Sequence, residues 1–265
     1  MENAMLQSCL APFKRATLED AARVSFLHRY DTKFVFGSDD VPAFLNAIKN
    51  DYSLLEIEGI TAQTYNTFYF DTPDLLCFNL HHNKRARRFK FRTRKYMSNG
   101  KIYNEIKQKL NSGKTIKFRQ RRDGFVTEPP ILPTLNDLSA YDESFEALLK
   151  TNGYGNIGKL VPSLNVFFNR LTFLNNSFAE RMTLDLGLGY GYEGSVLKLH
   201  ETAIVELKRE RGPEQTVSQR YFRSIHKCPS GFSKYTIGIS LTHGEAKKNR
   251  FLPKIRHLAF ERSAA

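Results

Sequence analysis

Acid is what this sequence is short of. It carries 27 Asp and Glu against 40 Lys and Arg, a formal net charge of +13. So large an excess of one sign predicts an anionic partner: nucleic acid, a phosphate compound or an acidic membrane surface. Cysteine is scarce too. Cys9, Cys77 and Cys228 are odd in number and far apart, and no CxxC spacing occurs. Neither a disulfide framework nor a zinc site is indicated, and a reducing compartment is expected. No apolar run approaches the roughly 20 residues of a membrane-crossing helix. The opening MENAMLQSCLAPFKR lacks the apolar centre of a secretory signal. The expectation is a cytoplasmic protein without a span of its own.

Apolar residues make up 41% of the 265-residue chain, enough for a sizeable core. Residues 1–16 read as a poorly ordered lead-in. TLEDAARVSF (17–26) has a Thr cap and early acids, so a short helix is expected. SDDVPAFLNAIKND (38–51) reads as a helix with Val41, Phe44, Leu45 and Ile48 on one face. RYDTKFVF (29–36) and TYNTFYFDT (64–72) read as strands, with a turn or short helix around DLLCFNLHH. RRFKFRTRKY (87–96), KIYNEIKQKL (101–110) and TIKFRQRR (115–122) form an antiparallel meander joined by MSNG and NSGK turns. EPPILPTLNDLS (128–139) is Pro-rich and irregular, and AYDESFEALLK (140–150) is helical. SLNVFFNRLTFL (163–174), FAERMTLDLGL (178–188) and HETAIVELKRE (200–210) are strands again. GPEQTVSQRYFRSIHKC (212–228) reads as a helix, while FSKYTIGISLT (232–242) fits a strand or a helix. Both halves contribute strands, which argues for one main domain. The expected division is a lead-in and short helix (1–27), the domain (28–242) and a basic tail (243–265).

Several motifs invite a catalytic reading and fail it. GYGNIG (153–158) and GYGYEG (189–194) match G-x-G-x-x-G but lack the strand–turn–helix setting that brings a helix N-terminus to a pyrophosphate. Both are expected to be plain turns. SGKT (112–115) resembles the end of a P-loop, but Gln108 stands where the leading Gly must be. His81-His82 has no metal-ligand partner at helical spacing and reads as a surface turn. No nucleophile–base arrangement is evident.

The strand faces carry more. Arg88, Lys90, Arg92 and Arg94 alternate with Phe89, Phe91 and Thr93, so one face holds only cations. Tyr103, Glu105, Lys107 and Lys109 share a face. Lys117, Arg119 and Arg121 share another, opposite Ile116 and Phe118. Arg181, Thr183 and Asp185 oppose Met182, Leu184 and Leu186, and Glu206 and Lys208 oppose Val205 and Leu207. Lys33 lies two residues from Asp31. A solvated outer face explains any one such strand. It does not explain the same sign recurring on most of them, because like charges facing across neighbouring strands destabilise each other. The expectation is an α+β fold: an antiparallel β-barrel, or tunnel, with a charged interior and helices over its apolar exterior. A polyanion would complete the lining, with Arg and Lys meeting phosphate oxygens. Glu206, Glu105 and Asp185 are candidate ligands for a divalent ion bridging phosphates, with internal salt bridges as the alternative.

At this point the residues resemble a known family. RYDTKF (29–34), YNTFYFDTPDL (65–75), FKFRTRKY (89–96), NEIKQK (104–109), NRLTF (169–173), ERMTLD (180–185), AIVELKRE (203–210) and FSKYTIG (232–238) run in order. They resemble successive segments of the VTC-type polyphosphate polymerase domain, within the triphosphate tunnel metalloenzyme (CYTH-like) superfamily. The resemblance implies transfer of the γ-phosphate of ATP to a growing polyphosphate chain, with Mn²⁺ or Mg²⁺. It assigns Lys33, Arg92, Arg94, Lys107, Arg170 and Arg181 to phosphoryl transfer and Glu206 to the metal. Lys208, Ser233 and Lys234 extend the phosphate-binding set, joined by Lys109, Lys117 and Arg119 from the cationic faces. Hydrolytic relatives open with E-x-E-x-K; here Arg29-Tyr30-Asp31-Thr32-Lys33 keeps one acid.

The implied partners are ATP and polyphosphate, with a membrane protein to take up the product by analogy. Rival readings are a triphosphate hydrolase on the same fold and a non-catalytic module binding polyphosphate or inositol phosphates. A nucleic-acid binder ranks low, since Phe89 and Phe91 fall opposite the cations and cannot stack bases beside phosphate contacts.

Overall fold

The computed structural model describes residues 3–24, 29–122, 143–210 and 215–264. In chain order the elements are α1 (Asn3–Leu10), β1 (Arg15–Ala16), α2 (Leu18–Arg23), β2 (Arg29–Gly37), α3 (Val41–Ile48), β3 (Tyr52–Leu55) and β4 (Gln63–Asp71). Then come α4 (Leu76–His82), β5 (Arg88–Tyr96), β6 (Ile102–Lys109), β7 (Thr115–Arg122), α5 (Glu143–Thr151), β8 (Val161–Asn175) and β9 (Glu180–Tyr192). The remainder are β10 (Ser195–His200), β11 (Thr202–Glu210), α6 (Val217–Ser224), α7 (Lys234–Thr242), α8 (Leu252–Ile255) and β12 (Ala259–Ala264). The chain divides into two compact units, and the long strands β8 and β9 contribute residues to both.

The first unit comprises Met1–Gln63, Asn169–Gly187 and His200–Phe232. Here β11 pairs antiparallel with β2 on one side and β9 on the other, so Glu206 stands opposite both Lys33 and Thr183, and Lys208 opposite Asp31 and Arg181. At the other end β3 pairs antiparallel with β8 and parallel with β1. Period two sends Phe34, Phe36, Met182, Leu184, Val205 and Leu207 to the opposite face. They form one core with Val41, Phe44, Leu45 and Ile48 of α3, Phe222 of α6 and Leu10 of α1. α6 starts at a capping box in which Thr216 and Gln219 satisfy each other's backbone amides. Behind it, the fully buried Glu180 accepts hydrogen bonds from Tyr52 (2.5 Å), Ser218 (2.8 Å) and Thr216 (3.0 Å). Those donors hold the charge where solvent cannot. Within the lead-in expected over 1–16, residues 3–16 hold α1, a docked turn and the short strand β1. Leu10 and Phe13 are buried, and Phe13 meets Phe173 at 5.1 Å between ring centres.

The second unit comprises Thr64–Phe168, Leu188–Leu199 and Ser233–Ala265. Its strand order is β12-β10-β9-β8-β4-β5-β6-β7. The meander β5–β6–β7 is present, with Gly113 (φ +80°) turning the last hairpin. Phe68, Phe70, Phe89, Phe91, Ile102 and Ile106 pack on one face against Phe145, Leu148 and Leu149 of α5 and Cys77 of α4. Asp71, fully buried, binds the amides of Cys77 (2.7 Å) and Phe78 (2.9 Å) and the hydroxyl of Tyr235, so one carboxylate anchors α4 and α7. Its charge also suits the N-terminus of α4.

The segment 232–242, ambiguous in sequence, is the helix α7. Ser233 caps it, and Gly238 allows the close approach: a Cβ there would lie 2.4 Å from Leu164 and 2.6 Å from Tyr190. The α+β, antiparallel, helix-clad reading holds. The second unit's ladder is an open path, so "barrel" describes it loosely. Both G-x-G-x-x-G matches are turns or strand, with Gly153, Gly158 and Gly194 at positive φ. His81-His82 is not a surface turn: it ends α4, and His82 is buried and bonded to Asn249 at 2.6 Å. The expected tail carries α8 and β12. The Pro-rich stretch 128–139 and parts of the helices expected over 17–26, 140–150 and 212–228 lie outside the described residues.

Phe222 stacks on Phe34 at 4.1 Å and 6° and meets Phe36 and Phe44 at 5.2 and 5.0 Å. Phe222→Ala should cost about 3–5 kcal/mol, read as a fall in the denaturant midpoint.

Candidate functional site

Register turns the parity argument into geometry. In the second unit Arg88, Lys90, Arg92 and Arg94 stand opposite Lys109, Lys107, Glu105 and Tyr103. The last three in turn stand opposite Lys117, Arg119 and Arg121. The face of β5, β6 and β7 thus carries nine cations and the single acid Glu105. Like charges so crowded repel, and three of them converge on that acid. Arg92 reaches Glu105 through Nε at 2.6 Å and a terminal nitrogen at 2.5 Å. Lys117 sits at 2.6 Å and Arg119 at 3.5 Å. Burial alone would raise the Glu105 pKa, but Arg92, Arg94 and Lys117 hold it well below the usual carboxylate range. Burial likewise opposes the charge on Arg92, and Glu105 and Tyr69 more than restore it.

The neighbouring strand joins this face. Tyr69 and Thr67 of β4 lie opposite Arg92 and Arg94 and bond to them at 3.3 and 3.1 Å. Burial raises the Tyr69 hydroxyl pKa, yet Arg92 and Arg94 bring it below its ordinary value. α7 lies on the same side. Tyr235 stacks on Tyr69 at 5.0 Å, and Lys90 donates to Ser233 at 3.0 Å. Lys234 sits 4.5 Å over the ring of Phe168.

The first unit's face is different in kind. Lys33, Arg170, Arg181 and Lys208 mix with Asp31, Asp185 and Glu206, so the signs nearly balance. Arg170 grips Asp185 by two parallel bonds of 2.6 and 2.7 Å. Lys33 pairs with one oxygen of Glu206, and Lys208 lies 3.5 Å from the other. Burial would raise the Glu206 pKa, but Lys208, Lys33 and Arg170 depress it strongly, so it is ionised. Burial brings Lys208 down to about 8, against the pull of Glu206.

The expected site residues therefore fall into two sets. Lys33, Arg170, Arg181, Lys208, Glu206 and Asp185 belong to the first unit; Arg92, Arg94, Glu105, Lys107, Lys109, Lys117, Arg119, Ser233 and Lys234 belong to the second. The three candidate metal acids are each engaged by cations. Among the described residues no group of three or more His, Cys, Asp or Glu is placed to hold a metal ion. A site held by protein ligands alone does not fit. Of the three, Glu206 could hold a divalent ion together with oxygen ligands from a bound molecule. Tyr69 and Lys90 were not singled out as site residues, although the alternation of 64–72 and 88–94 puts each on the cationic side.

A family model of the VTC domain matches residues 28–243. The chain belongs to the VTC domain family. Comparison with curated proteins gives no match. Among solved structures, HpAC1 from Hippeastrum, an adenylyl cyclase candidate with a dominant triphosphatase activity, is similar at 16% identity and TM-score 0.49, over 79% of this chain and 94% of its own. An adenylate cyclase candidate from Vibrio parahaemolyticus is similar at 12% and 0.41, over 78% and 95%. The PH1819 protein of Pyrococcus horikoshii is similar at 11% and 0.35, over 74% and 86%. Membership rests on the family model, not on these distant likenesses.

Lys208 yields a pH prediction. Its pKa is lowered from 10.5 to about 8 on folding, so the unfolded chain binds the extra proton between those values. Its penalty on stability is fully present below pH 8 and is relieved as pH rises toward 10.5. The cation is lost over that same interval. Binding of inorganic tripolyphosphate, followed by calorimetry, should weaken as pH rises through about 8, and Lys208→Arg should flatten that fall.

Proposed function

We propose that this chain is a polyphosphate polymerase, transferring the γ-phosphate of ATP to the end of a growing polyphosphate chain. The observation that carries the reading is the second unit's face, with nine cations against Glu105. Added to VTC membership, it supports polyphosphate as the natural complement. Transfer breaks the bond between the β-phosphate oxygen and the γ-phosphorus and forms one from a terminal polymer oxygen to that phosphorus. ADP leaves, and the polymer gains one unit. Such a step asks for positioning and neutralisation of charge more than for a nucleophilic side chain.

In this reading Arg92, Arg94, Lys107, Lys109, Lys117 and Arg119 bind phosphate oxygens along one strand face, with Ser233 and Lys234 at its border. Lys33, Arg170, Arg181 and Lys208 bind phosphate on the other unit's face. Tyr69 holds Arg92 in place. Glu206 would hold Mn²⁺ or Mg²⁺, which when bound would supply Lewis-acid neutralisation of phosphate charge. Residues 28–242 form the working domain. No helix among the described residues is long and apolar enough to cross a membrane. We place the protein in the cytoplasm, with a membrane-protein partner receiving the product.

The test is a product assay. Pure protein is given ATP, Mn²⁺ and a short polyphosphate primer, and polymer is resolved from free phosphate. Wild type should make polymer, and Glu206→Gln should lower the rate about 100-fold or more. Free phosphate without polymer would replace the reading by a hydrolase. Tight triphosphate binding without turnover would replace it by a sensor.

A further inference from the structure

One end of the second unit's cationic face is not bare cation. Tyr96 and Tyr65 stand opposite each other on β5 and β4, and Tyr103 of β6 stands opposite Arg94. All three are half-exposed and share the side that carries Arg92 and Arg94. Their ring centres form a chain, with Tyr103 edge-on to Tyr96 at 5.7 Å and 82°, and Tyr96 tilted against Tyr65 at 4.9 Å and 56°. Tyr65 then lies flat on Phe168 at 5.2 Å and 4°. Guanidinium groups interleave with the rings. Arg119 sits 3.6 Å over Tyr103 and bonds the Tyr96 hydroxyl at 2.9 Å, and Arg94 lies 5.0 Å over Tyr65.

The plain alternative is that these rings pack an exposed sheet surface. Apolar packing of these strands, however, is already done on the other face by Phe68, Phe70, Phe89, Phe91 and Ile106. On the cationic side, the aromatics of β5 and β6 gather at the Tyr96–Tyr103 end, while Arg88, Lys90 and Lys107 occupy the other. Aromatic rings beside a line of cations are what a base with a phosphate tail requires: a π-face for the base and Arg or Lys for the chain. Along β5, Arg94 and Arg92 follow Tyr96 at two-residue steps, each about 6.5–7 Å. Base and phosphates would therefore meet consecutive residues of one strand face.

We propose that Tyr96 and Tyr103, steadied by Tyr65 and Arg119, form a nucleobase platform. The base of a nucleoside triphosphate stacks there, and its phosphates run along β5 toward Arg94 and Arg92. This rests on the reading that the face binds phosphate, and it adds the part of the substrate that bare polyphosphate lacks. Stacking accepts any base, so ATP and GTP should bind with closely similar affinity.

The experiment compares ATP with inorganic tripolyphosphate by calorimetry on the full chain, wild type against Tyr96→Leu/Tyr103→Leu, with circular dichroism to confirm folding. The double variant should lose about tenfold or more in affinity for ATP. Its affinity for tripolyphosphate should stay within about twofold. Tyr96→Phe/Tyr103→Phe, which keeps the rings, should retain ATP binding and guards against a folding defect in the leucine variant. Equal loss for both ligands, or no loss for either, would overturn the platform. If wild type binds tripolyphosphate well and ATP no better, the platform fails while the phosphate reading stands. If it binds neither, the phosphate reading fails and the platform with it. Preference for a single-stranded oligonucleotide over ATP at equal salt would overturn the platform in favour of a nucleic-acid surface.

Discussion

Arg92, Lys117 and Arg119 all reach for one buried carboxylate, Glu105. The second unit's cationic face depends on that convergence. Nine cations on three adjacent strands would push one another apart, and the meander would lose its register. Glu105 neutralises the centre, Tyr69 and Thr67 hold the two arginines from the next strand, and Ser233 takes Lys90. The phenylalanines on the reverse face supply the hydrophobic attachment that keeps the strands in place. What is left is a strand face whose own residues on β5, β6 and β7 are nine cations to one acid. An anion of many charges is the ligand such a surface fits.

The first unit solves the same problem by pairing. Arg170 with Asp185 and Lys33 with Glu206 leave its face nearly neutral, yet its groups are perturbed by burial. A buried lysine brought down to about 8 and a carboxylate forced to stay ionised mark a place where small changes in bound charge matter. Three further buried carboxylates are used differently. Asp71 and Glu180 spend their oxygens on helix amides and hydroxyls, and Asp185 is clamped by Arg170. Glu206 instead meets two lysine ammonium groups, Lys33 and Lys208, which phosphate oxygens can draw away.

Much of this was legible in the sequence because strand periodicity is short and rigid. The sorting of Arg92 from Phe91 and of Glu206 from Leu207 needs only alternation, and the registers bear it out. Other features depend on contacts far along the chain. α1 is hard to read in sequence because its apolar residues Leu6, Cys9 and Leu10 find their partners only in the assembled core. α7 was ambiguous because KYTIGISLT is rich in residues that favour strands; burial against Leu164 and Tyr190 overrides that preference. The expected metal acids looked like a set because all three lie on charged faces, but pairing with Arg and Lys is set by cross-strand neighbours. The tyrosine end was hidden for the same reason: Tyr65, Tyr96 and Tyr103 come from three strands and meet only through register.

The central claim is that the excess cations are a built complement to polyphosphate rather than a solvated surface. Thermal unfolding of the full chain with inorganic tripolyphosphate, against sulfate at equal ionic strength, tests it most directly. Specific binding predicts that the midpoint rises by about 5–10 °C when tripolyphosphate reaches 100 times its Kd, with sulfate giving far less. Equal shifts from the two salts would mean that the face is only screened, and the account would be wrong.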